Sequence, residues 1–354
     1  MKFENQLTSL ARLRAAALRL LLTGSLATCI AHRPASAQMP DLGLLPGIQF
    51  TGNSTYTSGP LGGYQSNIVL GDHAKLAWSG GCNWIVYHSG NDSLWYDAAY
   101  LDGGMQCSIT LQYGWGRNPS VSVNDYGFMV EAHNNTGSDA YWNGNDVWYS
   151  GGQLMGVAGA YFSPPQYLDP NAWTPSVSIN NNEVVVEVHQ QANNNSLFYR
   201  VGSYNPTNSA ISWGTSFQYD TGYSPCVCLD RTTNTLVEVH NDGSGSNKLW
   251  YRVGKVNTSS KTITWSGATN YDNGYWPSVA VNNGKVYETH YDGSLEGSLW
   301  EHVGYISGSS IVLSRASYYD SGDWTQGGPS ISADNAGVAA VHNGGGTSIF
   351  INFE

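Results

Sequence analysis

The chain has 354 residues, with 42 glycines, 13 Trp and 23 Tyr against 15 Lys plus Arg, and a formal charge of −11. So many aromatic residues exclude a disordered chain, because they bury enough apolar area to build a core. The acidic balance disfavours nucleic acid and anionic membranes as partners, so neutral ligands fit better.

Residues 1–37 read as a signal peptide. Arg12, Arg14 and Arg19 precede or border an apolar stretch from Leu18 to Ile30, and Ala35-Ser36-Ala37 offers a small-residue cleavage site before Gln38. The stretch is too short and interrupted to span a bilayer, and Thr28 before Cys29 suits a lipoprotein signal poorly. This predicts a secreted or periplasmic protein whose mature part, 38–354, is one domain. Removing 1–37 takes away five basic residues and one acid, which leaves 10 basic and 25 acidic residues and a formal charge of −15.

Beyond the leader, one phrase recurs. A Pro-Ser-Val-like strand is followed by a strand ending in Glu-x-His, a polar loop, a Leu-Trp-Tyr-like strand and an Ile-x-Trp strand that runs into Tyr-Asp-x-Gly. The clearest copy starts at Pro225-Cys226-Val227 and passes through Val237-Glu238-Val239-His240 and Leu249-Trp250-Tyr251-Arg252. It ends through Ile263-Thr264-Trp265 and Tyr271-Asp272-Asn273-Gly274. Other copies begin at Pro119, Pro175, Pro277 and Pro329, and a degenerate one covers 74–78.

The repeat histidines His88, His133, His189, His240, His290 and His342 are separated by 45, 56, 51, 50 and 52 residues. A period near 50 with four short strands per copy predicts an all-β, six-bladed β-propeller of four antiparallel strands per blade. The last copy stops after its third strand. Ile48-Gln49-Phe50 with Tyr56-Thr57-Ser58-Gly59 matches the missing fourth, so the N-terminal strand is expected to close the last blade and remove the sheet edge.

Four cysteines remain after cleavage. Cys82 and Cys107 fall in two loops at one end of the same blade, which predicts a disulfide between them. Cys226 and Cys228 take positions where sister copies carry small residues, so they read as buried thiols. No zinc-ligand spacing or EF-hand loop is present, and no cofactor is expected.

The other end of the propeller collects the histidines, the polar loops and the Tyr-Asp-x-Gly turns. Strand alternation puts Glu and His of each pair on one face, at Glu131/His133, Glu187/His189, Glu238/His240 and Glu288/His290. In the first and last copies Val86 and Ala340 replace Glu. Two roles compete: each pair bonds the neighbouring blade's Tyr-Asp-x-Gly turn, or each pair with Trp148, Trp250 or Trp300 forms a shallow rim pocket. Such pockets would bond sugar hydroxyls and stack on apolar ring faces. Most repeat tryptophans, including Trp213 and Trp265, are expected to fill the core between blades.

Catalysis has less support, because an enzyme needs one nucleophile or one acid and base pair at one place, whereas these polar groups are spread around the ring. No Gly-x-Ser-x-Gly elbow or His-Glu-x-x-His helix occurs, and no unique carboxylate pair stands out.

The phrase Val185-Val186-Glu187-Val188-His189, followed by Leu197-Phe198-Tyr199-Arg200-Val201-Gly202, resembles the repeat of bacterial β-propeller lectins over about residues 46–354. Those lectins, like the fungal six-bladed fucose-binding lectins, hold sugars in equivalent pockets around the ring. The resemblance implies a secreted, multivalent carbohydrate-binding protein whose partners are glycans or glycoconjugates, without membrane insertion. A polysaccharide hydrolase or lyase, and a protein-binding scaffold, are the alternatives.

Overall fold

The computed structural model describes residues 52–56, 75–79, 82–88, 93–101, 105–135, 146–154, 160–292, 297–322, 327–335, 337–343 and 349–353. Side chains are described for 93–96, 111–135, 146–154, 160–292, 297–322, 327–335 and 337–342. The described residues are all-β, as the short Val-, Tyr- and Trp-rich runs between turn residues dictate. No helix among them is long and apolar enough to cross a membrane.

The strand Phe217–Leu229 shows how the repeats join. Its first part pairs antiparallel with Ser196–Asn205, and its second part pairs with Thr235–Asp242 in the next sheet. The register breaks between Tyr223 and Cys226, where Pro225 has no N–H to give the ladder. Thr269–Asn282 makes the same passage around Pro277.

The residue before each of these prolines is left-handed: φ is 48° at Asn118, 45° at Thr174, 49° at Ser224 and 54° at Trp276. A non-glycine residue holds that conformation only where its surroundings over-determine it. The side chain of Asn241 does this for one passage, donating to the Gly274 carbonyl at 2.7 Å and accepting the Trp276 N–H at 2.9 Å. Asn134 does so for another, donating to the Ala172 carbonyl at 2.6 Å and accepting the Thr174 N–H at 3.3 Å. At Gly274, a Cβ would land on the Tyr291 carbonyl and the His290 ring.

The sequence pattern treats Ile-x-Trp and Tyr-Asp as one fourth strand, but the structure divides it. Ala210–Trp213 pairs with the far half of Ser196–Asn205, and Phe217–Leu229 begins on the near half. Thr262–Trp265 and Ser310–Leu313 repeat this split. The break lets Trp213 and Trp265 turn into the space between sheets, where Trp265 stacks on Tyr219 with ring centroids 4.8 Å apart.

Near the N-terminus, Gly52–Tyr56 pairs antiparallel with Ile349–Phe353 and so extends the sheet of Ser330–Ala333 and Val338–Asn343. Residues 48–50 and 57–59 of the matching segment lie outside the described residues. The side chains of Cys82 and Cys107 do too. Their strands flank Ser93–Leu101 on opposite edges, roughly two strand spacings or ~10 Å apart, whereas a disulfide holds its Cα atoms about 4.4–6.8 Å apart. A Cys82–Cys107 bridge would therefore require these strands to shift.

The innermost strands neighbour one another in succession. Lys75–Ser79 lies against Arg117–Val123, then follow Ala172–Ile179, Phe217–Leu229, Thr269–Asn282 and Ser330–Ala333, which returns to Lys75–Ser79. The serines of the Pro-Ser-Val phrase stitch this succession. Ser120 Oγ accepts the Val177 N–H, Ser176 Oγ accepts that of Val227, and Ser278 Oγ accepts that of Ile331, each at 3.1 Å.

Cys228 stands in for serine and accepts the Val281 N–H through Sγ at 3.2 Å. Cys226 and Cys228 are free and half-buried, and burial pushes the Cys228 thiol up to about 11. At the far end of these strands, the buried Arg231 guanidinium donates to the Ala333 and Val123 carbonyls and to Asp125. It thereby ties three inner strands together. Apolar side chains pack between successive sheets, as where Val237, Val239 and Tyr251 meet Val279, Val281 and Ile311.

Candidate functional site

Each Glu-x-His pair sits where one sheet faces the preceding one. Nδ1 of His133 and of His189 lies 3.0 Å from its own strand's Glu131 or Glu187. Nδ1 of His240 lies 3.0 Å from Glu238, and that of His290 lies 3.1 Å from Glu288. All four carboxylates are buried.

Three of them also accept a phenol from the preceding repeat: Tyr113 donates to Glu131 at 3.1 Å, Tyr219 to Glu238 at 2.9 Å and Tyr271 to Glu288 at 2.8 Å. Burial, then the adjacent carboxylate, holds those three phenols well above the ordinary tyrosine range. The polar atoms of the pairs are thus turned between sheets, the geometry of the stitching role. A ligand at the surface does not meet them directly.

The Asp of Tyr-Asp-x-Gly completes the junction. Nε2 of His240 lies 3.7 Å from Asp220, that of His290 3.9 Å from Asp272 and that of His342 3.8 Å from Asp320. A basic side chain from the third strand meets Asp220, Asp272 and Asp169, the last lying in Tyr167-Leu168-Asp169-Pro170. Arg200 grips Asp169, and Arg252 Nε donates to Asp220 at 2.6 Å while its Nη1 donates to the Ser266 carbonyl at 2.7 Å. At the third such junction His302 takes the place of arginine, with Nε2 2.8 Å from Asp272. Burial pulls the imidazoles of His189 and His240 down, but their glutamates more than offset it and the net shift is upward.

Trp148, Trp250 and Trp300 stand in register opposite His133, His240 and His290 and are half-buried. Trp148 meets Tyr167 edge-on at 5.9 Å, and Trp300 meets Tyr318 at 6.1 Å. They border the junctions from outside, half-buried beside the buried Glu and His groups.

One open concavity among the described residues lies on the face formed by the passages between sheets and the loops after the second strands. A cleft of about 450 Å³ is lined by Trp173, Tyr223, Tyr275 and Trp276 together with Gln190, Asn195, Asn241, Asp242 and Asn247. Its construction is repetitive. Trp173, Tyr223 and Tyr275 each stand two residues before the passage proline and are exposed. Gln190 and Asn241 each follow the second-strand histidine. Asn195 and Asn247 are left-handed, with φ of 55° and 59°, and their carbonyls accept the Gly222 and Gly274 N–H groups.

Asp242 is held by donors from Ser244 and Ser246, with the Ser246 hydroxyl foremost in lowering its pKa. The cleft therefore combines flat aromatic faces with amides and a carboxylate, and no Lys or Arg lines it. Sequence reasoning overlooked these aromatics. Superposing the repeats on Pro-Ser-Val would have shown an aromatic at the same offset in three copies.

No family model matches the chain, and no curated protein matches it. Solved structures do. A mutant of AofleA from Arthrobotrys oligospora aligns with a TM-score of 0.58 at 9% identity, over 86% of each chain. The fucose-specific lectin from Aleuria aurantia aligns at 0.54 and 10% identity, over 79% of this chain and 90% of that one. An alpha-L-arabinofuranosidase from Fusarium graminearum aligns at 0.52 and 13% identity, over 85% and 96%. At such identities the likeness shows the fold alone, an all-β propeller.

Proposed function

We propose that this chain is a secreted, multivalent carbohydrate-binding protein, built as six four-stranded blades with the N-terminal strand completing the last. The observation that carries this reading is a cleft that brings together exposed Trp173, Tyr223 and Tyr275, from the same position of three successive repeats, with the amides Gln190, Asn195, Asn241 and Asn247. Aromatic faces pack on the C–H face of a sugar ring, and amides donate to and accept from its hydroxyls. Without Lys or Arg, the cleft suits neutral sugars better than phosphorylated or sulfated ones. The likeness to a fucose-specific lectin supports the same class of ligand. Weak sites repeated around a ring gain strength together when the glycan is itself multivalent.

In this reading the buried Glu-x-His pairs, with Trp148, Trp250 and Trp300 beside them, act behind the ligand. They hold the passages that carry the aromatics and so set the spacing between successive aromatics. Glycans are the partners, and no cofactor takes part.

A glycan array probed with residues 38–354, with and without chelator, tests the reading. Retention on a narrow set of neutral glycans supports it. A folded protein that binds no glycan overturns it, and cleavage of an arrayed polysaccharide would favour a hydrolase or lyase, the class of the arabinofuranosidase neighbour.

A further inference from the structure

The junctions between sheets differ in what stands beside the aspartate that faces the second-strand histidine. A fixed cation sits with that aspartate at two junctions, Arg200 beside Asp169 and Arg252 beside Asp220, whereas Asp320 faces His342 with Asn352 at the arginine's register position. Where Gly114 replaces the aspartate, Ser150 replaces the arginine. At Asp272 the partner is His302, which carries no obligatory charge.

Hydrogen bonding fixes which way both imidazoles of that junction face. His302 Nδ1 lies 2.9 Å from the Ser314 carbonyl, which can only accept, so Nδ1 carries the hydrogen and the neutral ring offers its lone pair at Nε2. His290 Nδ1 donates to the Glu288 carboxylate, whose Oε1 also accepts the Tyr271 phenol. Its lone pair is therefore also at Nε2. Both Nε2 atoms approach one oxygen, Asp272 Oδ2, at 2.8 and 3.9 Å. Two lone pairs and a carboxylate oxygen converging on one point repel one another unless a positive charge lies among them.

We propose that Asp272, His290 and His302 form a binding site for a divalent transition cation of the zinc class. Two imidazoles and a carboxylate are the donor set such ions take, with remaining positions left to water. The groups behind the ligands have the usual form as well, since a metal-bound histidine donates its other N–H to a carboxylate or a backbone carbonyl. Here Glu288 and the Ser314 carbonyl fill those places. Potential ligand atoms of Glu288, His290 and His302 lie within 4.8 Å of one another. The Asp272 side chain is 28% exposed, which gives the ion a route from solvent. The cluster of Asp169, Glu187 and His189 is also compact, but the Arg200 guanidinium already supplies its positive charge.

Untagged protein 38–354 is stripped with chelator and titrated with Zn²⁺ by calorimetry, with bound metal counted by elemental analysis and Co²⁺ used as a visible-absorption probe. The expected result is one ion per chain for the wild type and none for H302R, whose arginine reproduces the seat that Arg200 and Arg252 already occupy and so preserves folding. The reciprocal change, R252H, places a histidine beside Asp220 and His240 and should raise the count from one to two. Absence of Zn²⁺ uptake by the wild type, or equal uptake by folded H302R, overturns the site. Neither result depends on glycan binding, so the two readings fail separately.

Discussion

Tyr219 and Glu238 belong to different sheets, and the phenol of the first donates to the buried carboxylate of the second at 2.9 Å. The same carboxylate accepts from His240 on its own strand, so one anion is bonded both within a blade and across the boundary between blades. A buried carboxylate that loses one donor retains its desolvation cost, which makes the junction sensitive to each partner.

Tyr219→Phe should therefore destabilise the protein by about 1–3 kcal/mol, and Glu238→Ala by about 3–5 kcal/mol because it also strands His240. Chemical denaturation midpoints check both, and Tyr271→Phe at the equivalent junction should match the first.

The histidines predict a stability profile that falls on both sides of neutrality. Burial lowers His342 to about 4, Asp320 only partly offsetting it. The unfolded chain then binds a proton that the native state refuses, and stability declines as pH falls from 6.5 towards 4 by an amount on the order of 3 kcal/mol. His240 is raised despite burial, through Glu238. Its contribution is present below 6.5 and is lost as pH rises through the raised value. Melting temperatures measured from pH 4 to 9 should show His342→Gln flattening the acid side and His240→Gln the alkaline side.

Cys228→Ser should be almost neutral, within about 1 kcal/mol, because Ser178 already accepts the Leu229 N–H at 2.9 Å from the sister position. Cys228→Val removes the acceptor for the Val281 N–H and should cost about 1–3 kcal/mol. Comparing the two denaturation curves separates the hydrogen bond from the packing.

Asn241→Ala removes the clamp on Gly274 and Trp276 and leaves two backbone groups without it, at a cost of about 1–3 kcal/mol. Because Trp276 lines the cleft, its fluorescence should shift and glycan avidity should fall even where the variant remains folded.

The architecture was legible because a repeat near 50 residues is a strong signal, and the succession of strands follows it through Phe217–Leu229 and Thr269–Asn282. Glu-x-His was legible as a pair but not as a role, since alternation places Glu238 and His240 on one face without saying what packs against it. Tyr219, from the preceding repeat, decides that. The split of the fourth strand and the left-handed residues before Pro119, Pro175, Pro225 and Pro277 arise from packing between sheets, which local propensity does not report. The cleft aromatics were hidden differently. Trp173, Tyr223 and Tyr275 share an offset from proline, yet each looks like an ordinary core aromatic until its exposure is known.

Binding stoichiometry tests the central claim most directly. Calorimetric titration of residues 38–354 with the monovalent form of an array-selected glycan should give more than one site per chain. Tyr223→Ala should lower that number without abolishing binding, as sites repeated around a ring require. A single site per chain that one substitution eliminates, or turnover of the glycan during titration, would contradict a multivalent binding protein.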